Sequence, residues 1–124
     1  MSEKKRILIV EDEIELNEMI KIRLEANDFE ISTAFDGKEG LEKAREQEPD
    51  LIILDLMLPK LDGYKVCGLL KSDSRYNKIP IIIFTALAQN SNKEMGLELG
   101  ADAYITKPFK SEVLLEKIKE LMGK

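Results

Sequence analysis

Leu51-Ile52-Ile53-Leu54-Asp55 is a run of four aliphatic residues that ends at a carboxylate. Two further runs of four have the same apolar character, over Ile7 to Val10 and over Ile81 to Phe84. Short runs that are apolar throughout are typical of strands buried on both faces of a parallel sheet. The three runs therefore predict the centre of such a sheet.

Strand and helix patterns alternate along the rest of the chain. Strand-forming residues recur at every second position over Phe29, Ile31, Thr33 and Phe35, which indicates a strand nearer the sheet edge, and Ala103 to Ile105 gives a weaker fifth strand. Helical spacing of apolar residues predicts covering helices between the strands, marked by Leu16-Ile20-Leu24, Leu41 to Glu46 with Asp36-Gly37 at its opening, Tyr64 to Lys71 and Leu114 to Met122. This order predicts an α/β fold with helices on both faces of a parallel sheet.

The length of 124 residues and the 44% of hydrophobic residues suit one domain, so we expect a single domain over residues 1–124. The formal charge of -5, from 24 acidic and 19 basic residues, argues against nucleic acid as a direct partner. Cys67 has no second cysteine to pair with, which favours a reducing compartment and a buried, unreactive thiol.

No apolar run approaches the roughly 20 residues that span a bilayer, and the polar start of the chain does not have the pattern of a secretion signal. We therefore expect a cytoplasmic protein without a membrane partner. The sequence contains no histidine, which excludes a Ser/His/Asp triad and most transition-metal sites. Chemistry in this chain has to use carboxylates, lysine or threonine.

Polar residues follow four of the predicted strands: Glu11-Asp12, Asp55, Thr85, and Lys107-Pro108. Because the carboxyl ends of parallel strands lie at one edge of a sheet, these side chains are expected to meet in one crevice. Clustered carboxylates repel one another there, and a hard divalent cation with oxygen ligands, best Mg²⁺, offsets the repulsion. A carboxylate beside Mg²⁺ can attack phosphorus and form an acyl phosphate, whose charge Thr85 and Lys107 would stabilise.

With these motifs in place, the chain resembles the response-regulator receiver domain, the CheY-like fold. The resemblance covers about Lys5 to Met122 and rests on four stretches: Ile7 to Glu13, Leu54 to Pro59 with Asp62-Gly63, Phe84-Thr85-Ala86, and Gly100 to Phe109. It implies a five-stranded parallel sheet in the order 2-1-3-4-5 with five helices. It also implies that the protein acts in two-component signal transduction.

The resemblance assigns the site residues. It implies that Asp55 is phosphorylated, that Thr85 and Lys107 contact the phosphoryl oxygens, and that the Lys107-Pro108 bond is cis. Magnesium would be bound by Asp12, Asp55 and the backbone carbonyl of Met57, with Glu11 reaching the ion mainly through water. Such a protein is a phosphoacceptor that catalyses only its own phosphorylation and dephosphorylation, and we do not expect an enzyme acting on other substrates.

The resemblance also implies how the signal is passed on. The phosphoryl donor would be a phosphohistidine of a sensor histidine kinase or phosphotransfer protein. Phosphorylation would move Thr85 and turn the aromatic ring of Tyr104 inward. The switched face would comprise the fourth helix, fifth strand and fifth helix, over residues 90–99 and 102–122, and would control a partner protein or output domain. A static core position for Tyr104 is the alternative.

The wording of the motifs is similar to receivers of winged-helix transcription factors, which suggests a homodimer formed on phosphorylation. Two departures, Ala103 for a usual acid and Lys117 for a frequent arginine, leave the charged dimer contacts of that subfamily incompletely matched. In the family, the residues two past Asp55 and two past Thr85 tune hydrolysis of the aspartyl phosphate. Here they are Met57 and Leu87, which cannot orient water by hydrogen bonding, so we expect slow dephosphorylation unless both are ordinary loop packing.

Two other functions fit the same fold. A magnesium-dependent phosphatase would use Asp55 on external substrates, but such enzymes usually add a second acid near the nucleophile and a cap. Asp55 is followed by Leu56-Met57, and no insertion is long enough for a cap. An interaction module that is never phosphorylated would lack some of the motif acids or the lysine, all of which are present here.

Overall fold

A computed structural model of the protein describes residues 4–86 and 97–123. Its strands are β1 (Arg6–Val10), β2 (Glu30–Ala34), β3 (Leu51–Leu54), β4 (Ile81–Thr85) and β5 (Ala103–Thr106). Its helices within these residues are α1 (Ile14–Glu25), α2 (Gly37–Gln47), α3 (Gly63–Lys71) and α4 (Ser111–Met122). None of these helices is long and apolar enough to cross a membrane.

The five strands form one parallel sheet in the order β2-β1-β3-β4-β5, as predicted. The three aliphatic runs occupy its centre, and every residue of Ile7 to Val10, Leu51 to Leu54 and Ile81 to Phe84 is fully buried. β2 is an edge strand, in agreement with its alternating pattern. The unbroken apolar runs therefore identified the interior strands correctly.

Two hydrophobic cores cover the two faces of the sheet, because successive residues of a strand point to opposite sides. One core contains Leu8, Ile52 and Ile83, packed against α2 and α3 through residues that include Leu41 and Leu70. The other contains the alternate strand residues Ile7, Ile9, Leu51, Ile53, Ile82 and Phe84, packed against α1 and α4 through Ile20, Leu24, Leu114 and Ile118. The prediction of helices on both faces is confirmed.

Cys67 lies fully buried in the first core, where burial raises the pKa of its thiol to about 11.

α2 begins at Gly37, as the Asp36-Gly37 pair predicted, because the carboxylate of Asp36 accepts a hydrogen bond from the Glu39 amide and caps the helix. Several strand boundaries differ from the sequence prediction. β2 is shorter than the alternating stretch at both ends. β4 and β5 each extend to a threonine, Thr85 and Thr106, which pair in register. The helix predicted over residues 90–99 falls outside the described residues except for its last three positions, so α4 is the predicted fifth helix.

Two glycines allow the helices to close on the loop between β3 and α3. A Cβ at Gly37 would lie 1.6 Å from the carbonyl oxygen of Leu61, and the Gly37 amide donates a hydrogen bond to Pro59 O (3.1 Å). A Cβ at Gly63 would lie 2.2 Å from the carbonyl oxygen of Asp55. No side chain fits at either position without displacing backbone, so both glycines fix the loop that begins at Asp55.

Candidate functional site

Three acids meet at the carboxyl edge of the sheet, as the strand ends predicted. Glu11 and Asp12 follow β1, Asp55 follows β3, and one carboxylate oxygen of each lies within 4.8 Å of those of the other two. The side chains of Glu11 and Asp55 are buried, whereas Asp12 is exposed. The crevice is therefore acidic at its base and open to solvent on the side of Asp12.

Lys107 brings a positive charge to the acids from the loop between β5 and α4. Its Nζ donates hydrogen bonds to Glu11 Oε1 (2.5 Å) and to Asp55 Oδ2 (2.9 Å). The same Nζ lies 3.7 Å from Glu13 Oε1 and 4.8 Å from the centre of the Phe84 ring. The predicted lysine thus contacts the predicted phosphoacceptor directly.

The charges in the crevice are out of balance. Burial raises the pKa of Glu11 to about 7, against the opposing effect of hydrogen bonds from Lys107 and from the Glu13 amide, and the nearby charge of Asp55 raises it further. Burial alone would lower the pKa of Lys107, but its bonds to Glu11 and Asp55 outweigh this and raise it. Lys107 therefore remains an ammonium, and one ammonium faces more than one buried carboxylate.

This donor set fits Mg²⁺. All three acids offer oxygen, the ligand atom that hard divalent cations prefer, and no cysteine or histidine nitrogen competes within the described residues of the crevice. Asp55 Oδ1 accepts a hydrogen bond from the Met57 amide (3.2 Å), so Met57 lies beside the carboxylate while its side chain is 58% exposed. A further positive charge would also offset the excess of carboxylate.

Thr85, the last residue of β4, is fully buried at the same edge, and its carbonyl accepts a hydrogen bond from the Lys107 amide (2.8 Å). The structure thus brings Thr85 and Lys107 together as predicted, and the Lys107-Pro108 bond is cis. Tyr104 in β5 is half-buried and packs against the first core. Its switching role stays a prediction. Leu87 lies outside the described residues.

Sequence reasoning missed three residues of this region. Phe84 packs under Lys107, and the Glu13 amide donates to Glu11 Oε2 (3.0 Å). Asn17 is buried in α1 and donates a hydrogen bond to the carbonyl of Glu11 (2.9 Å). A signal existed only for Asn17, because it occupies the same helical face as Ile20 and Leu24, where an apolar residue is expected.

A doubly wound parallel sheet in the order β2-β1-β3-β4-β5, with three acids, a threonine and a lysine at its carboxyl edge, defines the class of CheY-like receivers. The sequence agrees with this class of protein over nearly its whole length. The chain belongs to the response regulator receiver domain family, whose profile matches residues 7–119.

Relatives and solved structures agree with that family. The chain is 43% identical over 117 residues to the DNA-binding dual master transcriptional regulator RpaA of Synechocystis, covering 94% of this chain and 48% of RpaA. It matches a CheY-like receiver domain protein from Methanospirillum hungatei with a TM-score of 0.91 and 34% identity, covering 97% of this chain and 94% of the other.

A receiver domain of a Pseudomonas aeruginosa sensor histidine kinase, whose active-site cleft coordinates a magnesium ion, matches with a TM-score of 0.89 and 30% identity, covering 98% and 99% of the two chains. The chain spans about half the length of the curated relatives it matches. The similarity to receivers of transcriptional regulators, expected from the motif wording, is confirmed.

Proposed function

We propose that this receiver domain accepts a phosphoryl group on Asp55 in a magnesium-dependent reaction. The observation that carries the proposal is the position of Asp55, which is 4% exposed, hydrogen-bonded to the Lys107 ammonium and grouped with two other acids. A nucleophilic carboxylate, an ammonium and a set of oxygen ligands are the parts that phosphoryl transfer requires.

The chemistry balances with a phosphohistidine as the donor. A carboxylate oxygen of Asp55 attacks phosphorus, the new P–O bond forms as the P–N bond breaks, and the leaving imidazole takes a proton. The Lys107 ammonium donates a hydrogen bond to Asp55 Oδ2 and lies beside Thr85, at the end of β4. An ammonium in this position would stabilise the negative charge on a phosphoryl oxygen. Magnesium, when held by Glu11, Asp12 and Asp55, supplies positive charge that neutralises the phosphoryl oxygens.

The donor has to be another protein or domain, since this sequence contains no histidine. A sensor histidine kinase or a phosphotransfer protein is the partner that this chemistry requires. The relatives that extend beyond this chain are named as DNA-binding or transcriptional regulators, which supports an output domain or target protein as the recipient of the signal. We propose the switch through Thr85 and Tyr104, and the homodimer formed on phosphorylation, as parts of this same function.

The competing function is hydrolysis of external phosphate esters, and stoichiometry separates the two. A self-limited phosphoacceptor should take up about one phosphoryl group per chain from acetyl phosphate, and should release no phosphate from p-nitrophenyl phosphate above background. Bound phosphoryl and released inorganic phosphate should therefore be measured together. Sustained turnover of the ester that disappears in Asp55→Asn would instead establish a phosphatase.

Replacing Asp12 by asparagine should weaken Mg²⁺ binding at least about tenfold, because even changes outside the ligand shell cost that much. Asp12 is exposed, so the free energy of unfolding without Mg²⁺ should change by less than about 0.5 kcal/mol. Titration calorimetry gives the Mg²⁺ affinity. Glu15→Gln, which neutralises an exposed acid in the first turn of α1, is the control and should leave the affinity unchanged. Equal affinities for both variants would remove Asp12 from the metal site.

Replacing Met57 by asparagine should shorten the lifetime of the aspartyl phosphate by roughly tenfold, less than the ~10²-fold of a full general base, because an amide orients water without taking its proton. Met57 lies beside Asp55 with an exposed side chain, so the new amide can reach an attacking water. We expect the same direction for Leu87→Glu. Decay is followed by intact mass after removal of the donor.

Lys60→Asn is the matched control for Met57→Asn, because it places the same amide elsewhere in the loop, at a position whose φ of 70° asparagine tolerates. Its phosphoryl lifetime should equal that of the parent. Unchanged lifetimes in both Met57→Asn and Leu87→Glu would show that these positions serve loop packing only.

A further inference from the structure

Asn17 is a polar residue on the apolar face of α1. It is 1% exposed and shares that face with the buried Ile20 and Leu24. Helical spacing there calls for an aliphatic side chain, which would extend the core without any polar group to satisfy. The presence of an amide at this position needs a reason other than packing.

The amide group of Asn17 joins the ends of two strands. Nδ2 donates hydrogen bonds to Glu11 O (2.9 Å) and to Ala34 O (3.2 Å), which follow β1 and end β2. The Glu11 amide donates to the same Ala34 carbonyl (3.0 Å). Asn17 therefore fixes the peptide that links Glu11 to Asp12, the two acids that follow β1.

These bonds complete the fixation of Glu11. Its amide bonds to Ala34, its carbonyl accepts from Asn17, and its carboxylate accepts from Lys107 and from the Glu13 amide. Within the described residues, no other donor to the Glu11 carbonyl is found. Loss of the Asn17 amide would free this peptide at the point where the chain turns from β1 into the acid cluster.

The Oδ1 atom of the Asn17 side chain indicates a loss of stability. Its Oδ1 is buried and has no hydrogen-bond partner in the described part of the chain. A buried acceptor without a donor lowers stability, so asparagine is not the residue that stability alone would choose here. The contribution of Asn17 therefore has to come from the two backbone carbonyls to which its Nδ2 donates.

We propose that Asn17 is a positioning residue for the magnesium site, which acts by holding the Glu11–Asp12 peptide so that both carboxylates face Asp55. The inference rests on the proposed function, because it concerns how the same three acids are held. It assigns to α1 a role in the site that goes beyond covering the sheet.

The test compares Asn17→Leu with the parent by titration calorimetry with MgCl₂ and by unfolding without Mg²⁺. Leucine keeps the branched skeleton and the number of side-chain heavy atoms, and it removes the donor. We expect the dissociation constant for Mg²⁺ to rise about tenfold, as for other residues that orient metal ligands. A dissociation constant within twofold of the parent, in a folded variant, would overturn the inference.

Asn27→Leu is the matched control. Asn27 follows the other end of α1, where its Nδ2 donates to Arg23 O (2.9 Å) in the same kind of bond but in an exposed position. Its Mg²⁺ affinity should equal that of the parent. A change in unfolding free energy alone, without a change in Mg²⁺ affinity, would assign Asn17 to the fold and overturn the inference. A parent that binds no Mg²⁺ would overturn the proposed function itself.

A measurement on the unmodified protein covers the case in which Asn17→Leu does not fold. In nuclear magnetic resonance spectra of the ¹⁵N-labelled parent, the side-chain amide signals of Asn17 should shift on addition of Mg²⁺, while those of Asn27 should not. Signals of Asn17 that stay fixed while the Asp12 backbone amide shifts would overturn the inference.

Discussion

Replacement of Lys107 by methionine should slow phosphorylation of Asp55 by about a hundredfold, the usual loss when one preorganised charged donor is removed from a transition state. Methionine keeps much of the length of the side chain, so the apolar contact with Phe84 remains possible while the ammonium is lost. The phosphoryl oxygens would then lack the donor that now bonds to Asp55 Oδ2.

The same substitution should destabilise the protein. The Lys107 side chain is only 14% exposed and bonds to Glu11 and Asp55, which would be left buried without their counter-charge. Breaking a buried ion pair from one side costs about 3 to 5 kcal/mol, and we expect about 3 kcal/mol, because the crevice is open to solvent beside Asp12. Saturating Mg²⁺ should recover part of this loss, since it binds the folded state.

Phosphorylation rates from acetyl phosphate and chemical unfolding with and without Mg²⁺ test this prediction. Lys110→Met is the control, because Lys110 is exposed at the start of α4, and its unfolding free energy should stay within about 0.5 kcal/mol of the parent. If Lys107→Met and Lys110→Met behaved alike in rate and stability, Lys107 would have no special part in the site.

Replacement of Gly63 by alanine should impair both the fold and the site. The new Cβ would lie 2.2 Å from the Asp55 carbonyl oxygen and 2.6 Å from the Cα of Leu56, so the backbone has to move. Overpacking of this kind costs about 1 to 3 kcal/mol. Because a displacement of ~1 Å in a reacting group can slow a reaction about a hundredfold, phosphorylation should fall by a similar factor.

Gly68→Ala gives a control in the same helix. Its Cβ would meet only Leu99 Cδ2 at 3.6 Å, an ordinary contact, and alanine is the better helix former. We expect Gly68→Ala to raise the free energy of unfolding by about 0.8 kcal/mol and to leave phosphorylation unchanged. Equal effects at the two positions would mean that the close approach of Gly63 to Asp55 does not matter.

The sheet and its crevice could be predicted because the relevant signals are local. The fully apolar runs before Glu11, Asp55 and Thr85 mark interior strands, and the parallel order then places their carboxyl ends together. The acids, threonine and lysine were found by position alone. The start of α2 could be predicted from Asp36-Gly37, because aspartate is a preferred residue before the first turn of a helix and caps it here.

The contacts that hold the site could not be predicted, because they depend on side-chain partners far apart in sequence. The strand ends placed Lys107 and Glu11 in one crevice, but nothing in the sequence indicated that Lys107, 96 residues away, bonds to Glu11 as well as to Asp55. The donation from Asn17 to Ala34 is of the same kind, since it becomes visible only when α1 is packed on β2. Periodicity identifies the buried face of a helix but not which polar residue on it has a partner.

The most direct test is intact-mass analysis of the parent and of Asp55→Asn after incubation with acetyl phosphate, with and without Mg²⁺. We expect the parent to gain the mass of one phosphoryl group, only when Mg²⁺ is present, and Asp55→Asn to gain none. A folded parent that gains no mass, or an Asp55→Asn variant that gains as much as the parent, would contradict the assignment of Asp55 as the phosphoacceptor.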